Sequence, residues 1–177
     1  PSMHSSQNEQ DSRFYGKFAQ IPILEPSNQQ EAYDMTRYAF DLSEKLDTPV
    51  LIRITTRLAH SRAGIIRKEE KEQNKLAVPS DLMKYVLLPS NARKRYKLLL
   101  NHQDHFEQAS NDSGFNFFKD HPDKKLGIIT TGIAYNYLLE NFPSGKVPHP
   151  ILKIGQYPLP ESMVRKIYDE CDELLII

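Results

Sequence analysis

The densest chemistry in the chain lies near its start. His4, Ser5, Ser6, Gln7, Asn8, Glu9, Gln10, Asp11, Ser12 and Arg13 offer nearly every kind of hydrogen-bond donor and acceptor in one run. A surface loop rarely needs so many, but a capped helix start uses several of the same groups, so both readings stay open. A second group follows an apolar run: Arg53, Thr55, Thr56, Arg57, His60, Ser61 and Arg62. In parallel α/β sheets, ligand groups gather beyond the carboxyl ends of the strands. Two arginine-bearing clusters near strand ends suit an anionic small molecule. Arg13 could equally be paired with Asp11 or Glu9.

Other motifs point to ordinary structure. His102 and His105 stand three residues apart, a spacing that metal sites use, but no Glu completes a zincin pattern. They read as a solvated helix face. Ser144, Gly145 and Lys146 look like the tail of a phosphate loop, but Glu140 stands where its first glycine belongs. Arg93, Lys94, Arg95 and Lys97 form a basic patch in a chain without net positive charge, which fits a solvated or interface helix face. Thr130, Thr131 and Gly132 sit at a strand-to-helix turn, where free amides can bind anions; tight helix–strand packing is the plainer reading. Cys171 reads as a packed, inert thiol.

The elements that must position these residues follow from hydrophobic periodicity. Residues 20–25 form a short apolar strand, and Pro22 makes it an edge or a strand start. Ser27 opens a helix, with Gln30 completing a capping box, and Ala32, Met35, Ala39, Leu42 and Leu46 mark its buried face. Residues 50–55 read as a buried strand, giving a βαβ unit and a parallel sheet. The mixed charge run from Arg67 to Glu72 is a solvated connection and a candidate domain boundary. A helix beginning at Ser90 would bury Ala92, Tyr96, Leu99, Leu100 and Phe106. Residues 110–124 read as loop. Strands at 126–130, 151–154 and 174–177, with helices at 132–141 and 160–170, make a βαβαβ series.

Composition bounds the rest. Apolar residues are 39% of the 177 and charged residues 26%, enough to close a core. Lys plus Arg equals Asp plus Glu at 23 each, so no global field draws nucleic acid or an anionic membrane. One cysteine excludes a disulfide framework or a cluster built from several thiolates of this chain. No apolar run approaches the ~20 residues that span a bilayer, and no signal peptide is visible. A cytoplasmic protein is expected. The apolar ending, Leu174 to Ile177, and the absence of a first Met suggest a piece of something longer.

The run from His4 to Arg13 resembles the α subunit of indolepyruvate:ferredoxin oxidoreductase. The likeness continues through Leu24–Ala32, Asp47–Arg62, Val86–Arg93, Lys125–Tyr137 and Leu152–Pro160, in the family's order and over most of the chain.

The resemblance implies a thiamine-diphosphate enzyme of the 2-oxoacid:ferredoxin oxidoreductase group. Its fold would be α/β: the end of a pyrimidine-binding-type parallel domain at 1–66, a charged connection, helix and loop at 67–124, and at 125–177 the βαβαβ start of a domain like the C-terminal domain of transketolase. The reaction would be oxidative decarboxylation of an arylpyruvate to an aryl-acetyl-CoA, with ferredoxin reduced. Thiamine diphosphate, Mg2+ and 4Fe-4S clusters would be held elsewhere in the full-length enzyme, so no cofactor is expected on this chain and alone it would be inactive. A smaller β subunit and ferredoxin are the implied partners, in an oligomer. Gln7, Asn8, Glu9, Gln10 and Asp11 would form an active-site loop, and Arg13, Arg57, His60 and Arg62 would bind substrate. No catalytic residue of the family falls within these 177 residues. Arg13 falls where related pyruvate enzymes carry an arginine that grips the substrate carboxylate, with Tyr15 standing in place of their Thr. The rival readings are the α subunit of another 2-oxoacid enzyme, such as one for pyruvate, and a transketolase-like interaction module without chemistry.

Overall fold

The computed structural model describes residues 11–177. A short helix, α1 (Arg13–Ala19), stops at Gln20, whose left-handed backbone (φ 57°) turns the chain toward the first strand. That strand, β1 (Ile23–Leu24), begins just after Pro22. The missing proline N–H is outside the ladder, and the Pro22 carbonyl still accepts the Leu51 N–H. The next helix, α2 (Gln29–Leu46), starts one residue later than the Ser27–Gln30 pairing predicts. Asn28 is its N-cap, accepting the Glu31 N–H, while the Glu31 carboxylate accepts from both the N–H and the hydroxyl of Ser27. A carboxylate makes the stronger reach-back bond, so Glu31 rather than Gln30 sets the register. Met35, Ala39 and Leu42 are buried as the 3.6-residue period requires; Met35 and Ala39 pack with Leu24, Tyr38 and Ile52.

Strand β2 (Leu51–Ile52) pairs parallel with β1, Ile23 opposite Leu51 and Leu24 opposite Ile52. The expected βαβ unit is present. Helix α3 (Thr56–His60) follows, capped by the Thr55 hydroxyl on the Leu58 N–H. The charged connection has no regular structure and is exposed from Ser61 to Asp81. It is nevertheless tied along α2: Gln30 holds Ile66, Tyr33 the Lys68 N–H, Arg37 the Glu69 carbonyl, and Asp41 the Lys71 ammonium.

A 3₁₀ turn (Leu82–Tyr85) leads to α4 (Pro89–Asn101) and α5 (Gln103–Asp112). The single stripe expected from Ala92 to Phe106 is not formed. The chain breaks at His102, which ends one helix and begins the next, so Phe106 belongs to α5 and is fully buried. Tyr96 and Leu100 on α4 are exposed. Residues 110–124 are not all loop either. They hold β3 (Phe117–Lys119), which runs antiparallel to β5 (Ile151–Ile154).

The last third is as expected. β4 (Leu126–Thr131), α6 (Ala134–Glu140), β5, α7 (Glu161–Glu170) and β7 (Glu173–Ile176) form the parallel βαβαβ series. The sheet order is β3-β5-β4-β7. Alternating side chains serve two layers: Ile128 and Ile151 pack with Leu138 of α6, while Ile129, Leu152 and Ile154 pack with Ile167 of α7.

The sequence did not show β6 (Gln156–Tyr157), which pairs antiparallel with β1 and gives the first sheet the order β2-β1-β6. Because β6 follows β5 after one residue, it ties the two sheets together. Buried Asn116 fixes this joint, its carbonyl accepting the N–H groups of Gly155 and Gln156. Fully buried Lys153 adds a second tie, its ammonium 2.8 Å from both Glu31 oxygens. The chain is an α/β protein with mixed sheets. No helix among the described residues is long and apolar enough to cross a membrane.

Candidate functional site

The parallel register of β1 and β2 carries two charges to one end. Leu24 stands opposite Ile52, so the residues that follow, Glu25 and Arg53, emerge side by side. Both are buried, and Arg53 Nη1 lies 2.5 Å from Glu25 Oε1. The second Glu25 oxygen accepts from the Tyr157 hydroxyl at 2.9 Å, delivered by the antiparallel β1–β6 pairing. Burial pushes the Tyr157 phenol above its usual range, with Glu25 adding to it, so the hydroxyl stays neutral and donates. Gly132, just past β4, closes the group. Its φ is +47°, and a Cβ there would come 2.5 Å from Glu25 Oε1. Gly132→Ala should therefore destabilise the chain by roughly 1–3 kcal/mol, through left-handed backbone and a displaced carboxylate. Urea unfolding of the variant against the parent measures it, and an unchanged midpoint would contradict this packing.

Arg13, the first residue of α1, comes over the same end. Its Nε and Nη2 fork onto Asp11 at 2.8 and 2.7 Å, and Nη1 donates to Thr131 Oγ1 at 3.1 Å. The hydrogen bond from Arg13 holds the Asp11 carboxyl below the usual carboxylate range, against the opposing effect of its partial burial. Asp11 also lies 3.8 Å from Arg53 Nε, too far for a hydrogen bond. That Nε–H is buried and has no partner among the described residues. Asp11 and Glu25 thus stand with Arg13 and Arg53 in one charge-balanced cluster. A guanidinium has five N–H donors; among the described residues Asp11 and Thr131 take three of those of Arg13, and the other two, on Nη1 and Nη2, lie on the side of the Tyr157 hydroxyl, with which Arg13 also interacts. The arrangement can hold a carboxylate by N–H donors already fixed in place.

Of the residues that sequence reading singled out, Asp11 and Arg13 meet here. Gln7, Asn8, Glu9 and Gln10 lie outside the described residues. Arg57 and His60, on α3, and Arg62, in the connection, are exposed; Arg57 sits 5.8 Å over the Tyr137 ring. None of the three lines the cavity beside Arg13. Arg53, from the second group read in the sequence, and Thr131, from the strand-to-helix turn, also meet here, whereas Glu25 and Tyr157 were not among the predicted site residues. Glu25 and Arg53 carried a readable signal, because opposite charges end two apolar runs, Ile-Pro-Ile-Leu-Glu and Pro-Val-Leu-Ile-Arg.

The chain has one cysteine, and no group of three or more His, Cys, Asp or Glu is assembled among the described residues. His102 and His105 pack ring edge to ring face, 5.7 Å apart. Cys171 packs against the Ile129–Ile167 layer, and burial raises its thiol, as an inert cysteine requires.

The fold and the cluster thus define an α/β chain whose two sheets meet at a buried, arginine-centred polar site. No family model matches it. Among curated proteins, the chain is 39% identical over 185 residues to "Indolepyruvate oxidoreductase subunit IorA" of Thermococcus kodakarensis. It is 38% identical over 181 residues to the subunit of that name from Archaeoglobus fulgidus, and 34% over 180 residues to the one from Methanothermobacter thermautotrophicus. Each match takes in all of this chain and 29% of the relative. The chain is a homologue, throughout its length, of indolepyruvate oxidoreductase subunit IorA, and it spans under a third of the length of these relatives.

Proposed function

We propose that this chain is part of the α subunit of an arylpyruvate:ferredoxin oxidoreductase. The observation that carries the reading is the likeness to IorA subunits, which takes in the whole chain. In the complete protein, an arylpyruvate anion and the thiol of CoA would give an aryl-acetyl-CoA, CO2, one proton and two electrons, which pass singly to ferredoxin. A smaller β subunit would complete the assembly. Thiamine diphosphate with Mg2+ and 4Fe-4S clusters would be held outside this chain and supply the redox chemistry. For that reason the chain by itself is proposed to be inactive. The division at 66 and 124 into the end of a pyrimidine-binding domain, a connection, and the start of a transketolase C-terminal-like domain is part of the same proposal.

The share of these residues is to bind and orient. Arg13 receives the substrate carboxylate on the Nη N–H groups that Asp11 and Thr131 do not take, while Arg53, buried and outside the cavity lining, holds Glu25 in place. Asp11 fixes the guanidinium plane, as the one described member of the proposed loop 7–11. Arg57, His60 and Arg62 are proposed as outlying contacts for anionic substrate groups.

The test is steady-state oxidation of indolepyruvate and of pyruvate by the complete α and β subunits, with CoA and ferredoxin. A higher kcat/KM for indolepyruvate is expected. Preference for pyruvate would favour the α subunit of another 2-oxoacid enzyme, and no CoA-dependent oxidation of either would favour an interaction module.

A further inference from the structure

Beside the cluster, α1, the start of α5 and the turn from β6 into α7 enclose a cavity of about 500 Å3. Its walls are mostly apolar. Ile23 is buried at one wall, and Gly16 lies against it so closely that a Cβ there would fall 2.2 Å from Ile23 side-chain carbons. Phe14 and Leu159 face the same space yet remain 66% and 47% exposed, large side chains kept in water beside a pocket. Arg13 and Tyr157 line it too, so the pocket and the polar cluster share a wall.

The charges of the lining limit what can bind. Arg13 and Lys17 are outnumbered by Asp11, Glu107 and Glu161. A polyanion, such as a diphosphate or the phosphates of a nucleotide, meets net repulsion here. A molecule with one carboxylate and one large apolar end fits better: its single charge meets the arginine donor at one wall, and its apolar end fills the aromatic-sized apolar space next to it. That is the common pattern of small-molecule pockets, apolar walls with few placed polar groups.

We infer that this cavity holds the aryl group of the substrate, and that Phe14 and Leu159 are specificity-determining residues for it. The inference rests on the function proposed above and goes further, because it assigns the aryl preference to named side chains of this segment. Phe14 on α1 supplies a ring for edge-to-face or offset contact with the aryl group. Leu159, in the turn before α7, lines the same space, so its size sets the room available.

The experiment uses the complete α and β subunits and measures kcat/KM for indolepyruvate and pyruvate side by side. Phe14→Ala removes an apolar wall, and Leu159→Trp fills the cavity. Both positions are substantially exposed, and circular dichroism checks that each variant folds. In each variant the indolepyruvate-to-pyruvate ratio is expected to fall about ten- to two-hundredfold, the range for loss of an apolar pocket contact. A ratio within about twofold of the parent in both variants overturns the inference while the parent's arylpyruvate activity keeps the proposed function standing. A parent that oxidises no arylpyruvate overturns both.

Discussion

Glu25→Ala should cost about 3–5 kcal/mol of stability, one of the two largest effects expected in this chain. The pair it breaks is buried on both sides, with side-chain exposures of 7% for Arg53 and 3% for Glu25. Removing the carboxylate leaves the Arg53 guanidinium buried beside Asp11 alone, at 3.8 Å, and leaves the Tyr157 hydroxyl without its acceptor. A charge stranded in the interior is penalised far more than the pair is rewarded, so the double variant Glu25→Leu, Arg53→Met should recover most of the loss. Chemical unfolding of the three proteins measures both numbers. A loss below about 1 kcal/mol for Glu25→Ala would mean that the pair is solvated, as surface pairs are.

Much of this fold was readable because its periodic segments are long. The α2 stripe and the strands around Ile128, Ile151 and Leu174 each carry enough apolar repeats to declare themselves. What escaped was short. Phe117 and Phe118 are two aromatics within a run of Asn, Asp, Ser and Gly, and three residues of strand are too few to show alternation. Gln156 and Tyr157 form a ladder of two residues, placed by the buried Asn116 amide, a contact made 40 residues away in sequence. The same long-range joint decided the site. Asp11 and Arg13 could be named from local sequence, but Thr131 lies 118 residues from Arg13, and Tyr157 lies 132 from Glu25. Only the pairing of β6 with β1 brings the latter two together. The helix break at His102 was invisible for the reverse reason: the apolar spacing runs on across it while the backbone turns.

Arg13→Lys carries the other large effect. Arg13 meets Asp11 through two nitrogens and Thr131 through the third, so its plane is set by three bonds before any substrate arrives. A lysine ammonium has no planar fork: it can keep one bond to Asp11 and cannot at the same time present two ordered donors to a second carboxylate. Losing such a charge-assisted pair costs roughly 2–4 kcal/mol, about thirty- to a thousandfold in specificity. The loss should fall mainly on KM for the arylpyruvate, since the proposed function places the reacting groups outside this chain. A purely structural role would instead lower the unfolding midpoint and leave KM near the parent value. The direct measurement is therefore the kcat and KM of Arg13→Lys with indolepyruvate, in the complete α and β assembly with CoA and ferredoxin. The account predicts kcat/KM lower by about thirty- to a thousandfold, carried by KM. Near-normal specificity would contradict it and pass the carboxylate role to Arg57 or Arg62.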